Sequence, residues 1–134
     1  MDTKELIKVG NEALISKGNL DVIAQLFDND YVVHSGGKDY KGHEFIERWA
    51  KLLRSAIPDI QVKNVEFLIQ SGNTIVWQRT LSGTHKTELM GIRPTNKKVV
   101  WKDMAVSRFN GEKIVEEWVV SEMLGELLSK TPFE

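Results

Sequence analysis

Glu117 and Asp103 are the residues in this chain best suited to acid–base chemistry. They fall on two strands expected over residues 99–109 and 113–121, joined through Asn110-Gly111, a strong hairpin signal. Alternation puts both carboxylates on the same face of that hairpin. Removing a proton from a carbon next to a carbonyl needs a carboxylate base whose pKa burial has lifted toward the working pH. A second acid kept neutral, or a histidine, can then hydrogen-bond the developing enolate oxygen. Glu117, flanked by Val115 and Val119, is the better candidate of the two. The competing reading is a pair of rim carboxylates, solvated or paired with Lys102, Arg108 or Arg79.

Helices and strands must position these groups. Asp2 and Glu5 have capping-box spacing ahead of Leu6, Val9, Ala13 and Leu14, and Gly18 is a C-terminal stop. A second short helix carries Val22, Ile23, Leu26 and Phe27, and Tyr31 to His34 reads as a short strand before the Gly36-Gly37 turn. A third helix places Phe45, Ile46, Trp49, Leu52, Leu53 and Ala56 on one face and ends at Pro58-Asp59. From Ile60 the period is two. A parity change near Lys63-Asn64 predicts a bulge, and Ser71-Gly72-Asn73 predicts a hairpin into a strand over residues 74–82. Leu124, Leu127 and Leu128 mark a final helix or tail. Helices first and strands later predict an α+β fold with a mixed, mainly antiparallel sheet, and one domain over residues 1–134.

Alternation also sorts the later strands into two faces. One carries Val76, Gln78 and Thr80, then Trp101, Asp103, Ala105 and Ser107, then Val115, Glu117, Val119 and Ser121. The other carries Trp77, Arg79 and Leu81, then Met104 and Val106, then Ile114, Trp118 and Val120. The second set is too apolar for a wetted face. The expectation is helices and a cavity over the carboxylate face, with a second copy of the chain over the face of Trp77, Met104, Val106 and Trp118.

Composition narrows the function classes. The 134 residues carry a formal net charge of -1, which gathers neither nucleic acid nor an anionic membrane. There are no cysteines, so disulfides and thiolate chemistry are excluded. The charged N-terminal stretch reads as neither signal peptide nor membrane span, and a cytoplasmic location is the default expectation. The three histidines lack metal-ligand spacing, and no phosphate loop, nucleophile elbow or dinucleotide fingerprint is present. No cofactor or metal is expected.

Several short segments, in order, resemble one family: Gly42 opening the third helix, Ala56-Ile57-Pro58-Asp59, Gly83-Thr84-His85, Met90-Gly91-Ile92 with Pro94-Thr95, and Asn110-Gly111 through Trp118 with Leu124-Gly125. Together they resemble the SnoaL-like polyketide cyclases (ester cyclases) of the nuclear transport factor 2-like superfamily. The resemblance implies a cone-shaped fold, a curved sheet wrapped around N-terminal helices and one central cavity. It also implies an intramolecular aldol ring closure, with an aspartate just after the position of Trp118 as acid/base. This chain has Val119 there, Glu117 where a histidine often stands two residues earlier, and Ala105 at a polar position on the preceding strand. The family's own route of ring closure is therefore not expected.

The implied cavity suggests the remaining candidates. His34, at the end of its strand, would point inward as proton donor or ligand anchor. Phe45, Trp49 and Trp101 would form an aromatic wall, Gln78 would orient a hydroxyl or carbonyl, Met90 would adapt at the mouth, and Val119 would contact ligand. His43 and His85 are expected to be structural or exposed. The ligand would be a small apolar or carbonyl-containing molecule, handled by a cyclase- or isomerase-like enzyme without cofactor. The alternatives are a non-catalytic ligand-binding or accessory protein, and an epoxide-hydrolase-like enzyme. Arg79, on the outer parity, argues against the last.

Overall fold

The computed structural model describes residues 1–131. Three helical segments come first: α1 (Thr3–Gly10), a π-helical turn (Asn11–Ser16) and α2 (Val22–Leu26). Next are β1 (Phe27–Ser35), β2 (Lys38–Lys41) and α3 (Gly42–Ala56). Then follow β3 (Gln61–Ser71), β4 (Thr74–Thr84), β5 (Lys98–Asn110), β6 (Lys113–Ser121) and α4 (Met123–Ser129). The six strands form one curved, open sheet in the order β2-β1-β6-β5-β4-β3. Among the described residues, only the β1–β6 pairing is parallel. No described helix is long and apolar enough to cross a membrane.

Local chemistry explains the frame. Asp2 caps α1 by accepting the Glu5 backbone N–H at 2.8 Å. Arg54 of α3 donates to the carbonyls of Ile15 and Ser16 at 2.7 and 2.8 Å, which supplies partners where the π-helical turn leaves its carbonyls open. That tie fixes the turn beneath the sheet, and with it Asn11 at its start. The bulge expected near Lys63-Asn64 occurs as a register shift between Val62 and Asn64. Gly72 and Gly111 take positive φ in the two hairpin turns.

The amphipathic face of α3 is rotated slightly from the sequence reading. Ile46, Ala50, Leu53 and Ala56 are buried, whereas Leu52 is 43% exposed. Val9 of α1 is likewise exposed, so the buried stripe there runs through Leu6 and Ile7. Phe27 begins β1 rather than ending a helix, and β2 is an extra edge strand that the Gly36-Gly37 turn leads into.

The segment between β4 and β5 is anchored at its start. Thr84 donates its N–H and its hydroxyl to Asp59, at 2.7 and 2.9 Å, and the Thr84 backbone bond chiefly holds the Asp59 pKa below its usual range. Gly83 passes so close to Ile57 that an added Cβ would lie 2.2 Å from its Cγ2. The loop then closes through the Leu89–Ile92 bridge, with Met90 and Gly91 both at positive φ.

Candidate functional site

The concave side of the sheet and the helices enclose a mostly apolar cavity of about 330 Å³. Glu117 stands in its wall. It is directly opposite Ser107 across the β5–β6 ladder, so their side chains share the inner face. Ser107 makes a short hydrogen bond to Glu117 Oε2. Trp77 Nε1–H donates to Ser107 Oγ at 2.8 Å, which directs the serine's own hydrogen toward the carboxylate. On the other side, β1 runs parallel to β6 with Val33 opposite Glu117. Tyr31 is buried on the same face as Val33 and donates its hydroxyl to Glu117 Oε1 at 2.6 Å.

All of Glu117's hydrogen-bond partners are thus neutral. Burial raises its pKa, opposed by the hydrogen bonds from Ser107 and Tyr31 and by the charge of Arg79. Burial, followed by the charge and hydrogen bond of Glu117, pushes the Tyr31 phenol well above its ordinary value. Tyr31 therefore stays protonated as a donor, and Glu117 holds a proton to higher pH than an exposed glutamate.

A second polar group lies further along the same wall. Arg79 and Asp103 are opposite each other across β4 and β5, and Arg79 Nε donates to Asp103 Oδ2 at 2.9 Å. Arg79 Nη1 donates to Asn11 Oδ1 at 2.8 Å, and Asn11 Nδ2 donates to the Ile7 carbonyl at 2.9 Å. The arginine also lies 5.9 Å from the Trp77 ring, so the indole covers one face of the cation.

Of the residues singled out from the sequence, Glu117, Asp103, Phe45, Trp49, Met90, Trp101 and Val119 line the cavity. Phe45 stacks on Tyr40 with ring centroids 4.4 Å apart. Val119 is paired with Ala105, and both line the cavity as apolar side chains. Met90 is 55% exposed at the loop tip.

Gln78 and His34 do not belong to the cavity. Gln78 lies opposite Met104 and Glu66 on the convex face. The parity expected for β4 is inverted throughout: Trp77 and Arg79 face the cavity, and Trp77 is 5% exposed rather than part of an outer apolar face. No short hairpin ties β4 to β5, so the relative phase of these two strands was not readable from either one. Ile114 also faces inward with Glu117, because a register shift after Arg108 changes the phase of β6.

His34 is on the convex face because Tyr31 and Val33 take the inner one. Its ring stacks on Trp118 at 5.3 Å, with Nδ1 2.6 Å from Asp39 and Nε2 2.7 Å from Glu116. His43 donates to the carbonyls of Phe27 and Asp28, and His85 is fully buried with Nδ1 accepting the Thr95 N–H.

The sequence does not single out Tyr31, Ser107, Trp77 or Asn11 as site residues, and it offers Arg79 only as a partner for a rim carboxylate. For Tyr31 the signal was present, since strict alternation from Val33 puts it inside. Ser107 shares the parity of Asp103 and Ala105, but nothing in the sequence marks a serine as a carboxylate partner. Among the described residues, no three His, Asp or Glu side chains form a metal-sized cluster.

The pattern of the SnoaL-like polyketide cyclases matches residues 6–128. The structure of IdmH, a candidate polyketide cyclase from Streptomyces antibioticus, superposes with a TM-score of 0.82 at 23% identity, covering 97% of this chain and 98% of that one. AclR, a candidate hydroxylase from Streptomyces galilaeus, gives 0.74 at 26% identity, covering 98% and 100%. A candidate SnoaL-like polyketide cyclase from Jannaschia gives 0.85 at 17% identity, covering 98% and 93%. No functionally curated protein matches the chain in sequence.

Proposed function

The chain belongs to the SnoaL-like polyketide cyclase family, and from that premise we propose that it binds an apolar carbonyl compound in this cavity and uses Glu117 to move a proton next to the carbonyl. The observation that carries this reading is the setting of Glu117. It is a buried carboxylate in a ligand-sized apolar cavity, its pKa is raised by burial, and both its oxygens are held by neutral donors. A structural ion pair would instead have placed a cation on the carboxylate.

In the proposed step, ionised Glu117 takes a proton from the carbon beside the carbonyl, and the C–H electron pair moves onto the carbonyl oxygen as an enolate. As Glu117 becomes neutral, its hold on the Tyr31 hydrogen weakens. The enolate oxygen is then the better acceptor for that phenol. Return of the proton at another carbon gives isomerisation. Attack of the enolate carbon on a second carbonyl gives ring closure. Val119 supplies no proton acceptor, so any cyclisation here runs from Glu117, on the same strand face but roughly 7 Å of backbone away.

The test is deuterium uptake by tetralone in heavy water, followed by proton NMR. Wild type should exchange the hydrogens beside the carbonyl about 10²–10⁴-fold faster than Glu117→Gln. Equal rates would leave a ligand-binding protein without this chemistry.

A second reading is favoured by one observation. Arg79 faces the cavity beside Asp103, contrary to the outer parity expected for the arginine. A carboxylate oriented by an arginine can take a proton from water as the water oxygen attacks an epoxide carbon and the ring C–O bond breaks, and the released alkoxide then takes that proton to give the diol. Diol formation from an aryl epoxide, lost in Asp103→Asn but retained in Glu117→Gln, would select this reading over the first.

A further inference from the structure

The cavity has a second polar end that the proton transfer at Glu117 does not use. Asp103 lies four residues along β5 from Ser107, the partner of Glu117. That is roughly 13 Å of strand at about 3.3 Å per residue. The apolar pair Ala105 and Val119 lies between the two ends.

The Arg79–Asp103 ion pair is one-sided. Arg79 Nε and Nη2 both contact the same oxygen, Asp103 Oδ2, at 2.9 Å each. A guanidinium usually forks across both oxygens of a carboxylate. Here Nη1 is held instead by Asn11 Oδ1. The other oxygen, Asp103 Oδ1, is buried and has no hydrogen-bond partner among the described residues. The Asp103 side chain is only 8% exposed, and it stands in the cavity wall. Buried carboxylate oxygens are ordinarily satisfied, so an unmatched one on a cavity-lining side chain points to a ligand donor. The backbone agrees: Asn11 begins a π-helical turn, an irregularity that recurs at functional sites.

We infer that Asp103 Oδ1 is a subsite for a hydroxyl group of the ligand, with Arg79 and Asn11 as the residues that position it. An ionised carboxylate only accepts, so it takes an O–H and rejects a carbonyl. Oδ1 is covered in the present arrangement. The hydroxyl reaches it through a small rotation of the carboxylate about its soft terminal torsion. The substrate class is then an apolar carbonyl compound with a hydroxyl at the end remote from the reacting carbon. The inference rests on the reading of the cavity as a small-molecule site, and not on Glu117 being a base.

Titration calorimetry with benzophenone and p-hydroxybenzophenone tests it on wild type and on Asp103→Asn. Wild type should bind the hydroxy compound about ten- to a hundredfold more tightly than benzophenone, as a hydrogen bond to a buried charge predicts. In Asp103→Asn the amide oxygen stays on Arg79 and the amino group meets the ligand, so the preference should fall to within about threefold. Equal binding of both compounds by wild type overturns the subsite and leaves the cavity reading standing. A preference unchanged in Asp103→Asn also overturns it. Binding of neither compound by wild type overturns the small-molecule reading, and the subsite with it. The wild-type comparison needs no variant, so it holds even if Asp103→Asn folds poorly.

Discussion

The Tyr31 hydroxyl lies 2.6 Å from Glu117 Oε1, joining two strands that run parallel although 86 residues separate them in sequence. The pair couples the proton-transfer proposal to a measurable network. Tyr31→Phe removes a donor to ionised Glu117, so the Glu117 pKa should rise further. It also removes the donor proposed for the enolate. Exchange should fall about 10²–10³-fold, the scale of a lost oxyanion donor. An unchanged rate with a shifted Glu117 pKa would assign Tyr31 to tuning alone.

Glu117 should make the fold less stable as pH rises from its unfolded pKa through its folded one. Its folded pKa is raised by burial above the unfolded value of about 4.3. A raised pKa contributes stability that is present in full below the unfolded value and is lost as pH rises through the folded one. Glu117→Gln cannot ionise and escapes that loss. The melting temperature of the variant relative to wild type should therefore climb with pH across that window and then level off. A constant difference across the window would mean that Glu117 titrates alike in both states.

His34 belongs to an outer network that should behave in its own way. The hydrogen bonds that His34 donates, first to Glu116 and then to Asp39, raise its pKa, while Glu116 is lowered chiefly by its bond to His34 and next by Arg108. Both ring nitrogens face carboxylates, which suits the imidazolium. Its contribution to stability is complete below about pH 6.5 and lost as pH rises through the folded pKa. Glu116→Gln should lower the His34 pKa in an NMR titration. No change would detach His34 from Glu116 in solution.

The convex face remains a proposed homodimer surface, with its membership revised. Met104, Trp118 and Val120 are exposed there, at 44%, 41% and 73%, and Val120 and Met104 are directly paired. Trp77 has left this set for the cavity. Trp118→Glu should halve the mass seen by light scattering at micromolar concentration, whereas Trp77→Phe should leave the mass unchanged and perturb the Ser107–Glu117 contact. A wild-type monomer would remove the proposal.

Local signals in the sequence carried much of this architecture. The Asp2 cap, the bulge before Asn64 and the Asn110-Gly111 hairpin each rest on neighbours within a few residues, and each occurs as expected. The β5–β6 hairpin also fixed Glu117 and Asp103 on one face. The failures concern strands that meet after long excursions. β4 reaches β5 only after the loop through Met90, and both of its faces carry apolar side chains, so nothing in its own pattern chose Arg79 over Gln78. His34 was misplaced because the implied cavity outweighed the plain alternation of Tyr31 and Val33. The partners of Glu117 come from β1 and β5, with Trp77 of β4 behind Ser107, and no spacing along the chain reveals such a convergence.

The most direct measurement is the pH dependence of tetralone exchange by wild type, recorded beside the carboxyl chemical shift of Glu117. The rate should rise with pH through an inflection above the ordinary glutamate value, the Glu117 carboxyl signal should show the same inflection, and the rise should be lost in Glu117→Gln. A rise that survives in Glu117→Gln, or a Glu117 carboxyl that titrates at its ordinary value, would contradict the assignment of Glu117 as the base.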